Sequence, residues 1–438
     1  MNKTQKMMID ILKSEVRPAM GCTEPVAVVL TAAKARALLG VDQVDTIDVK
    51  VSPNFYKNGL SVGIPQTDLV GLDMASALGA AGGDPDLGLE ILSSVDEDMV
   101  ELAKMYLGQG AVRVAIADTS EKVFVDVRVK SGQMTARAVV KGHHDHFVLL
   151  EKNEQVIFSE DRIANQTENP NQAFFNMNIV DIIKDVENMP SKEIRFLLAG
   201  IDMNLKVAQS GLEKSLGMGV GYAVQRQIAD GVMDESLAHK AMMLTAAASD
   251  ARMSGITKPV MSSNGSGNNG LTAILPIAAY GQMHDVEEEK LIKALAISHL
   301  VNCYMKNYIG RLSAICSCAV SAATGSGAAI TWLESGSYKE IENTIQNMIG
   351  NVSGLICDGA KDSCALKLAT AASTGVQMSN MARYGVVVPP RNGIVSESVE
   401  RSIQNLGQVA SEGMQITDTV ILKVMKNMAD DATKAQNI

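Results

Sequence analysis

Over residues 24–39 the apolar side chains Ala, Val and Leu recur at helical spacing, and then the period changes. Ile47, Val49 and Val51 alternate with polar neighbours. So do Val112, Val114 and Ile116, and then Val123, Val125, Val127 and Val129. A period of two marks strands with one buried face. Segments 134–140 and 147–150 predict two more strands, and helical runs near 69–81 and 96–106 lie between the first ones. This part reads as an α+β domain with a mostly antiparallel sheet.

The polar stretch 164–172 (ANQTENPNQ) predicts a linker. Beyond it strand alternation nearly disappears, and helical runs follow at 178–188, 192–207, 235–251, 286–307, 338–349 and 399–412. The expectation is an α+β domain over 1–168 followed by a mostly α-helical domain over 169–438.

The 438 residues are 46% hydrophobic and 20% charged, a globular composition. A net charge of -10 disfavours nucleic acid as partner, since phosphate binding needs a basic surface. The N-terminal residues read as an amphipathic helix, not a signal peptide, and no apolar run is long enough to span a bilayer. The expectation is a cytoplasmic protein without a membrane partner, acting on a small molecule. Homodimerisation is left open. With 25 Met and 4% aromatics, the core is built from small and flexible side chains.

Six cysteines, Cys22, Cys303, Cys316, Cys318, Cys357 and Cys364, would stay reduced in that compartment. No C-x-x-C pair is present, which disfavours zinc ribbons and thioredoxin sites. Cys316-Ser-Cys318, Cys357 and Cys364 sit among small residues, where backbone can approach an inorganic cluster. Each could equally be a buried small hydrophobe. Cys303, four residues after His299 in an apolar helix, reads as core.

Cys22 precedes Thr-Glu-Pro25, which opens a helix, and either Cys22 or Thr23 is placed to cap it. A thiol at the positive end of a helix has a lowered pKa, which Arg17 would reinforce and Glu24 would oppose. Such a thiolate is a candidate base or nucleophile, against a tight-turn packing role. The segment 262–270 (SSNGSGNNG) matches G-x-G-x-x-G literally, but no βαβ unit surrounds it. It reads as a flexible loop or as an anion-binding loop ahead of a helix near Leu271, with Ser266, Asn268 and Asn269 available to a carboxylate. Lys57 and Asn58 lie in an apparent turn that could present them to a ligand. The run His143-His-Asp-His146 reads as a solvated turn. Lys306 and Arg311 flank the approach to Cys316.

The segments Arg17-Pro-Ala-Met-Gly-Cys-Thr-Glu-Pro25, Gly265-Ser-Gly-Asn-Asn-Gly270, Gly310-Arg-Leu-Ser-Ala-Ile-Cys-Ser-Cys318 and Ile356-Cys-Asp-Gly-Ala-Lys-Asp-Ser-Cys364 together resemble the L-cysteine desulfidase family. That family is grouped with serine dehydratase-like alpha-chain proteins, and the resemblance spans nearly the whole chain. More distantly, the helical domain is similar to the alpha chain of iron–sulfur L-serine dehydratases. The resemblance implies a [4Fe-4S] cluster held by Cys357, Cys364 and either Cys318 or Cys316. Cys318 is preferred here because a run of small residues follows it. Ser317 stands where the family pattern has Gly.

The resemblance also implies Cys22 as catalytic base and a substrate carboxylate held at the glycine-rich loop. With the residues read above, the candidate substrate contacts are Arg17, Lys57, Asn58, Ser266, Asn268 and Asn269. The implied reaction removes sulfide from L-cysteine and leaves pyruvate and ammonia, without pyridoxal phosphate. Loss of water from L-serine at the same cluster is the nearest alternative. A non-catalytic, cysteine-based redox regulator is an alternative from another class.

Overall fold

In the computed structural model, which describes residues 1–67, 69–160, 171–310 and 312–436, the chain is helix-rich with one six-stranded sheet. The strands are β1 (Thr46–Val51), β2 (Val112–Ile116), β3 (Phe124–Ser131), β4 (Met134–Lys141), β5 (Phe147–Lys152) and β6 (Gln155–Ser159). Their order is β2-β1-β3-β4-β5-β6, with β1 and β2 parallel and every other pair antiparallel. The alternation read from the sequence is the buried face: Ile47, Val49 and Val51 of β1 and Val125, Val127 and Val129 of β3 are all buried. They pack on the helix Thr23–Leu39, and Leu72–Ala81 and Glu97–Gly108 complete that core. Strand β6 is exposed at all five positions and carries no alternation, so the sequence does not announce it.

A second apolar core fills the helical part and joins the helices Leu237–Met253, Gly267–Met283, Glu288–Ile309, Ala323–Leu333 and Cys364–Arg383. The first helix, Lys3–Glu15, belongs to this core through Met8, Ile9, Ile11 and Leu12. The chain therefore starts in the helical body, leaves it for the sheet, and returns. The predicted linker, except its last two residues, lies outside the described residues, as does Arg311. Among the described residues no helix is long and apolar enough to cross a membrane.

Two crossings between the cores position the site. Pro18–Ala19 pairs antiparallel with Val260–Met261, which sets the Cys22 turn beside the glycine-rich segment. At the C-terminus, Asp418 of the helix Gln415–Gln436 accepts from Lys57 Nζ at 2.5 Å and from Asn54 Nδ2 at 2.9 Å. Lys57 and Asn58 lie inside a short helix, Pro53–Gly59, opened by Pro53, and not in the turn that Asn58-Gly59 suggested.

Candidate active site

Three helix starts meet at a cavity of about 80 Å³, room for several waters at roughly 10–15 Å³ each. Cys22 is the N-cap of Thr23–Leu39, Ser266 is the N-cap of Gly267–Met283, and Cys364 is the first residue of Cys364–Arg383. All three line the cavity, and their helix dipoles make it favourable to anions.

The glycine-rich segment is a rigid turn. Asn264 and Gly265 both take positive φ (51° and 76°), the geometry of a two-residue hairpin turn for which Asn-Gly is suited. Ser263 and Ser266 close it with two backbone hydrogen bonds of 3.1 Å. Thr23 donates to the Gly265 carbonyl at 3.0 Å, and Lys306 Nζ to the Asn264 carbonyl at 2.7 Å. Beneath it, Ser263 donates to Nδ1 of His299 at 2.9 Å and accepts from Asn264 and Asn302. The helix begins at Gly267, earlier than Leu271, which puts Asn268 and Asn269 in its first turn.

Cys316, Cys318, Cys357 and Cys364 line one side of the cavity. Ile315 and Ile356 form an isolated antiparallel bridge. Cys316 N donates to the Leu355 carbonyl at 2.8 Å and Cys357 N to that of Ala314 at 2.7 Å. Two segments 41 positions apart are thus tied at the cysteines. The loop from Cys357 to Cys364 folds around Asp358, whose carboxylate takes Lys361 and Lys367. Hydrogen bonding to Cys318, followed by burial, pushes the Cys316 thiol well above its usual range. Burial and then the nearby Cys316 push Cys364 up to about 12. Burial also raises Cys357, against the pull of Lys57, whose Nζ lies 2.9 Å from the Cys357 carbonyl oxygen. Cys318, the hydrogen-bond partner of Cys316, also reaches the glycine-rich turn: Asn269 Nδ2 lies 3.8 Å and Ser266 Oγ 3.9 Å from its sulfur. Cys303 sits in the helical core.

Cys22 lines the same cavity, clustered with Val62 and Met253 and with Cys364 packed against that cluster. It donates to Glu24 Oε2 at 3.1 Å, and Asn58 donates to Oε1 at 2.8 Å. Burial, and then the Glu24 charge, raise the Cys22 thiol well above its usual range, opposite to the expectation from its place at a helix start. Desolvation of a fully buried sulfur outweighs the dipole here. Burial alone would raise Glu24. His144 and the hydrogen bonds from Cys22 and Asn58 outweigh it and hold the carboxyl below its usual range. The proton of the pair rests on sulfur.

Several expected residues stand elsewhere. Arg17 is exposed, with Nε directed at the Lys13 carbonyl, and does not line the cavity. Arg252 takes the place beside Cys22, donating to the Gly21 carbonyl at 2.8 Å and to Asn268 Oδ1 at 3.0 Å. Ser266, Asn268, Lys57 and Asn58 all line the cavity. Asn269 does not. It sits behind the wall, donating to Ser317 Oγ at 2.9 Å. His144 belongs to the β4–β5 turn yet is buried and lines the cavity, its ring 5.4 Å from that of Phe55, so it is not a solvated turn residue. Nothing in the local sequence around Arg252 marks it, and the His143-His-Asp-His146 run draws the eye to His144 without telling that the fold buries it here.

Among the described residues, no three His, Cys, Asp or Glu side chains are grouped as for a metal ion. Residues 86–423 match the family described as serine dehydratase alpha chain. A UPF0597 protein of Alkaliphilus metalliredigens (strain QYMF) is 48% identical over 423 residues, 96% of this chain and 95% of its own. Another, from Clostridioides difficile (strain 630), is 49% identical over 424 residues, 96% of this chain and 99% of its own.

Proposed function

Because the chain belongs to the serine dehydratase alpha-chain family, we propose that it is an iron–sulfur lyase that splits L-cysteine into sulfide, pyruvate and ammonia. The observation that carries the reading is the convergence of Cys22 and the cysteines at 316, 357 and 364 on one buried cavity.

The donor set suits a [4Fe-4S] cluster. Thiols are its ligands, and three of them leave one iron without a protein ligand. We take Cys316, not Cys318, as the third ligand. Cys357 and Cys364 both sense Cys316, and the backbone bridge ties Cys316 to Cys357. Cys318, hydrogen-bonded to Cys316, is also engaged by Ser266 and Asn269. Lys57 and Lys367, each paired with a carboxylate, still favour the Cys357 thiolate, and the start of the helix Cys364–Arg383 does the same for Cys364.

When bound, the cluster supplies a Lewis-acidic iron that takes up charge from the departing sulfur. The chain does the rest. Glu24, fixed by Asn58, is placed to receive the Cys22 proton, and the Cys22 thiolate is placed to take the α-proton. The electrons of the C–H bond form the Cα–Cβ double bond and those of the C–S bond leave with sulfur. The aminoacrylate released then tautomerises and hydrolyses to pyruvate and ammonia. Pyridoxal phosphate has no part in this scheme.

L-Serine, with hydroxide leaving in place of sulfide, is the second reading, favoured by the family's description. Anaerobic purification with iron and acid-labile sulfide counts, followed by kcat/KM for sulfide release from L-cysteine and pyruvate formation from L-serine, decides. Cysteine should win. A larger value for serine selects the second reading, and iron-free protein inert to both ends the proposal.

A further inference from the structure

Arg252 is a buried cation whose partners are all neutral. It is 5% exposed, lines the cavity, and grips only the Gly21 carbonyl and Asn268 Oδ1. Its Nε has no hydrogen-bond partner, and among the described residues no carboxylate pairs with it. A buried guanidinium without a counter-anion is costly, and its five donors outnumber the two acceptors supplied. The nearby anion, Glu24, is already engaged by Cys22 and Asn58.

The guanidinium also lies flat on the start of the helix Gly267–Met283. A Cβ at Gly267 would come 2.3 Å from Arg252 Nε and 2.6 Å from Cζ, so only glycine allows this approach. Of the first-turn amides of that helix, Asn269 N is capped by Ser266 Oγ, and those of Gly267 and Asn268 have no intrahelical acceptor. A charged planar fork and a helix start therefore converge at one place, an arrangement matched to a carboxylate.

Resting on the lyase reading above, we infer that Arg252, oriented by Asn268 and the Gly21 carbonyl, is the receptor for the α-carboxylate of the amino acid. Gly21 immediately precedes Cys22, so a carboxylate held on this fork leaves the α-carbon beside the Cys22 thiol. Lys306, also buried on the cavity wall, adds to the field without supplying a fork. The site selects small free amino acids and rejects their amides and decarboxylated amines.

The test uses the anaerobically purified holoenzyme with two probes that lack a leaving group, L-alanine and L-alaninamide, read by ligand-induced thermal shift. Wild-type protein should be stabilised by L-alanine and not by the amide. Arg252→Lys keeps the charge but loses the fork. It should bind L-alanine about 10- to 100-fold more weakly and raise KM for L-cysteine by a similar factor, the loss falling mainly on KM. Asn268→Ala, which only frees the guanidinium, should move both in the same direction by less. Iron content should be unchanged in each. Retention of wild-type alanine affinity and KM by Arg252→Lys, or equal response of wild-type protein to acid and amide, overturns the inference. Arg252-dependent alanine binding in a protein that turns over neither cysteine nor serine would uphold this site and remove the lyase reading instead.

Discussion

Cys22 and Glu24 share a hydrogen bond in which the thiol donates to Oε2 over 3.1 Å, leaving the negative charge on the carboxylate. A buried sulfur in this state becomes a base only by handing its proton to Glu24. Cys22→Ala and Glu24→Gln should therefore each lower kcat by about 10²- to 10⁴-fold, the usual contribution of general acid–base catalysis. Both should retain wild-type iron and acid-labile sulfide. Normal turnover in Cys22→Ala would remove the base assignment.

In the cavity wall, Cys316 and Cys318, hydrogen-bonded to each other, differ in their further partners. Cys316 is tied to Cys357 through the bridge at Ile315 and Ile356, whereas Cys318 is also held by Ser266 and Asn269 of the glycine-rich turn. Alanine at Cys316, Cys357 or Cys364 should abolish cluster retention, and Cys318→Ala should keep the iron. Iron counts and visible absorbance after anaerobic purification read this directly. Loss of iron from Cys318→Ala with retention in Cys316→Ala would exchange the two roles.

The C-terminal helix braces the same wall. Lys57, 1% exposed, is neutralised by Asp418 while its Nζ also reaches the Cys357 carbonyl. Asp418→Ala strands that ammonium and should cost roughly 3–5 kcal/mol, the expected penalty for breaking a buried pair. Lys57→Met combined with Asp418→Ala should recover part of the loss. Denaturant unfolding of the two variants and wild type measures it. A change below about 1 kcal/mol in Asp418→Ala would show that the pair behaves as an exposed one.

Much of this is legible in the sequence where burial is one-sided. The alternating valines of β1 and β3 and the helical run at 24–39 announce themselves because one face meets a core. The helices Ala323–Leu333 and Cys364–Arg383 are harder to read. Small residues are buried around most of their circumference, so no polar stripe sets a period. Strand β6 is invisible for the converse reason, with no buried face at all. At the site, the cysteine segments and the Cys22 turn can be read as motifs. Which of Cys316 and Cys318 faces Cys357 depends on a bridge between distant segments, and spacing does not encode it. Arg252 is a single residue in unremarkable surroundings, and His144 belongs to a histidine-rich run that reads as a solvated turn. Both become functional candidates only by what the fold places against them.

His299 gives the helical core an acid-sensitive point. It is buried under the glycine-rich turn, accepts from Ser263 on Nδ1, and burial lowers its pKa from 6.5 to about 3. Between those values the unfolded chain binds a proton that the folded chain refuses. Stability therefore rises with pH across this window, by up to roughly 1.4 kcal/mol per unit from this one group, and its contribution is complete above pH 6.5. His299→Gln keeps an acceptor for Ser263 and removes the titration. It should cost about 1–3 kcal/mol at pH 7 through altered packing and hydrogen bonding. Its unfolding free energy should then fall less steeply than wild type between pH 6.5 and pH 4. The comparison of slopes isolates His299, because the acid lability common to both proteins cancels. Parallel pH dependences would mean that His299 is protonated in the folded state, and the neutral ring accepting from Ser263 would have to be abandoned.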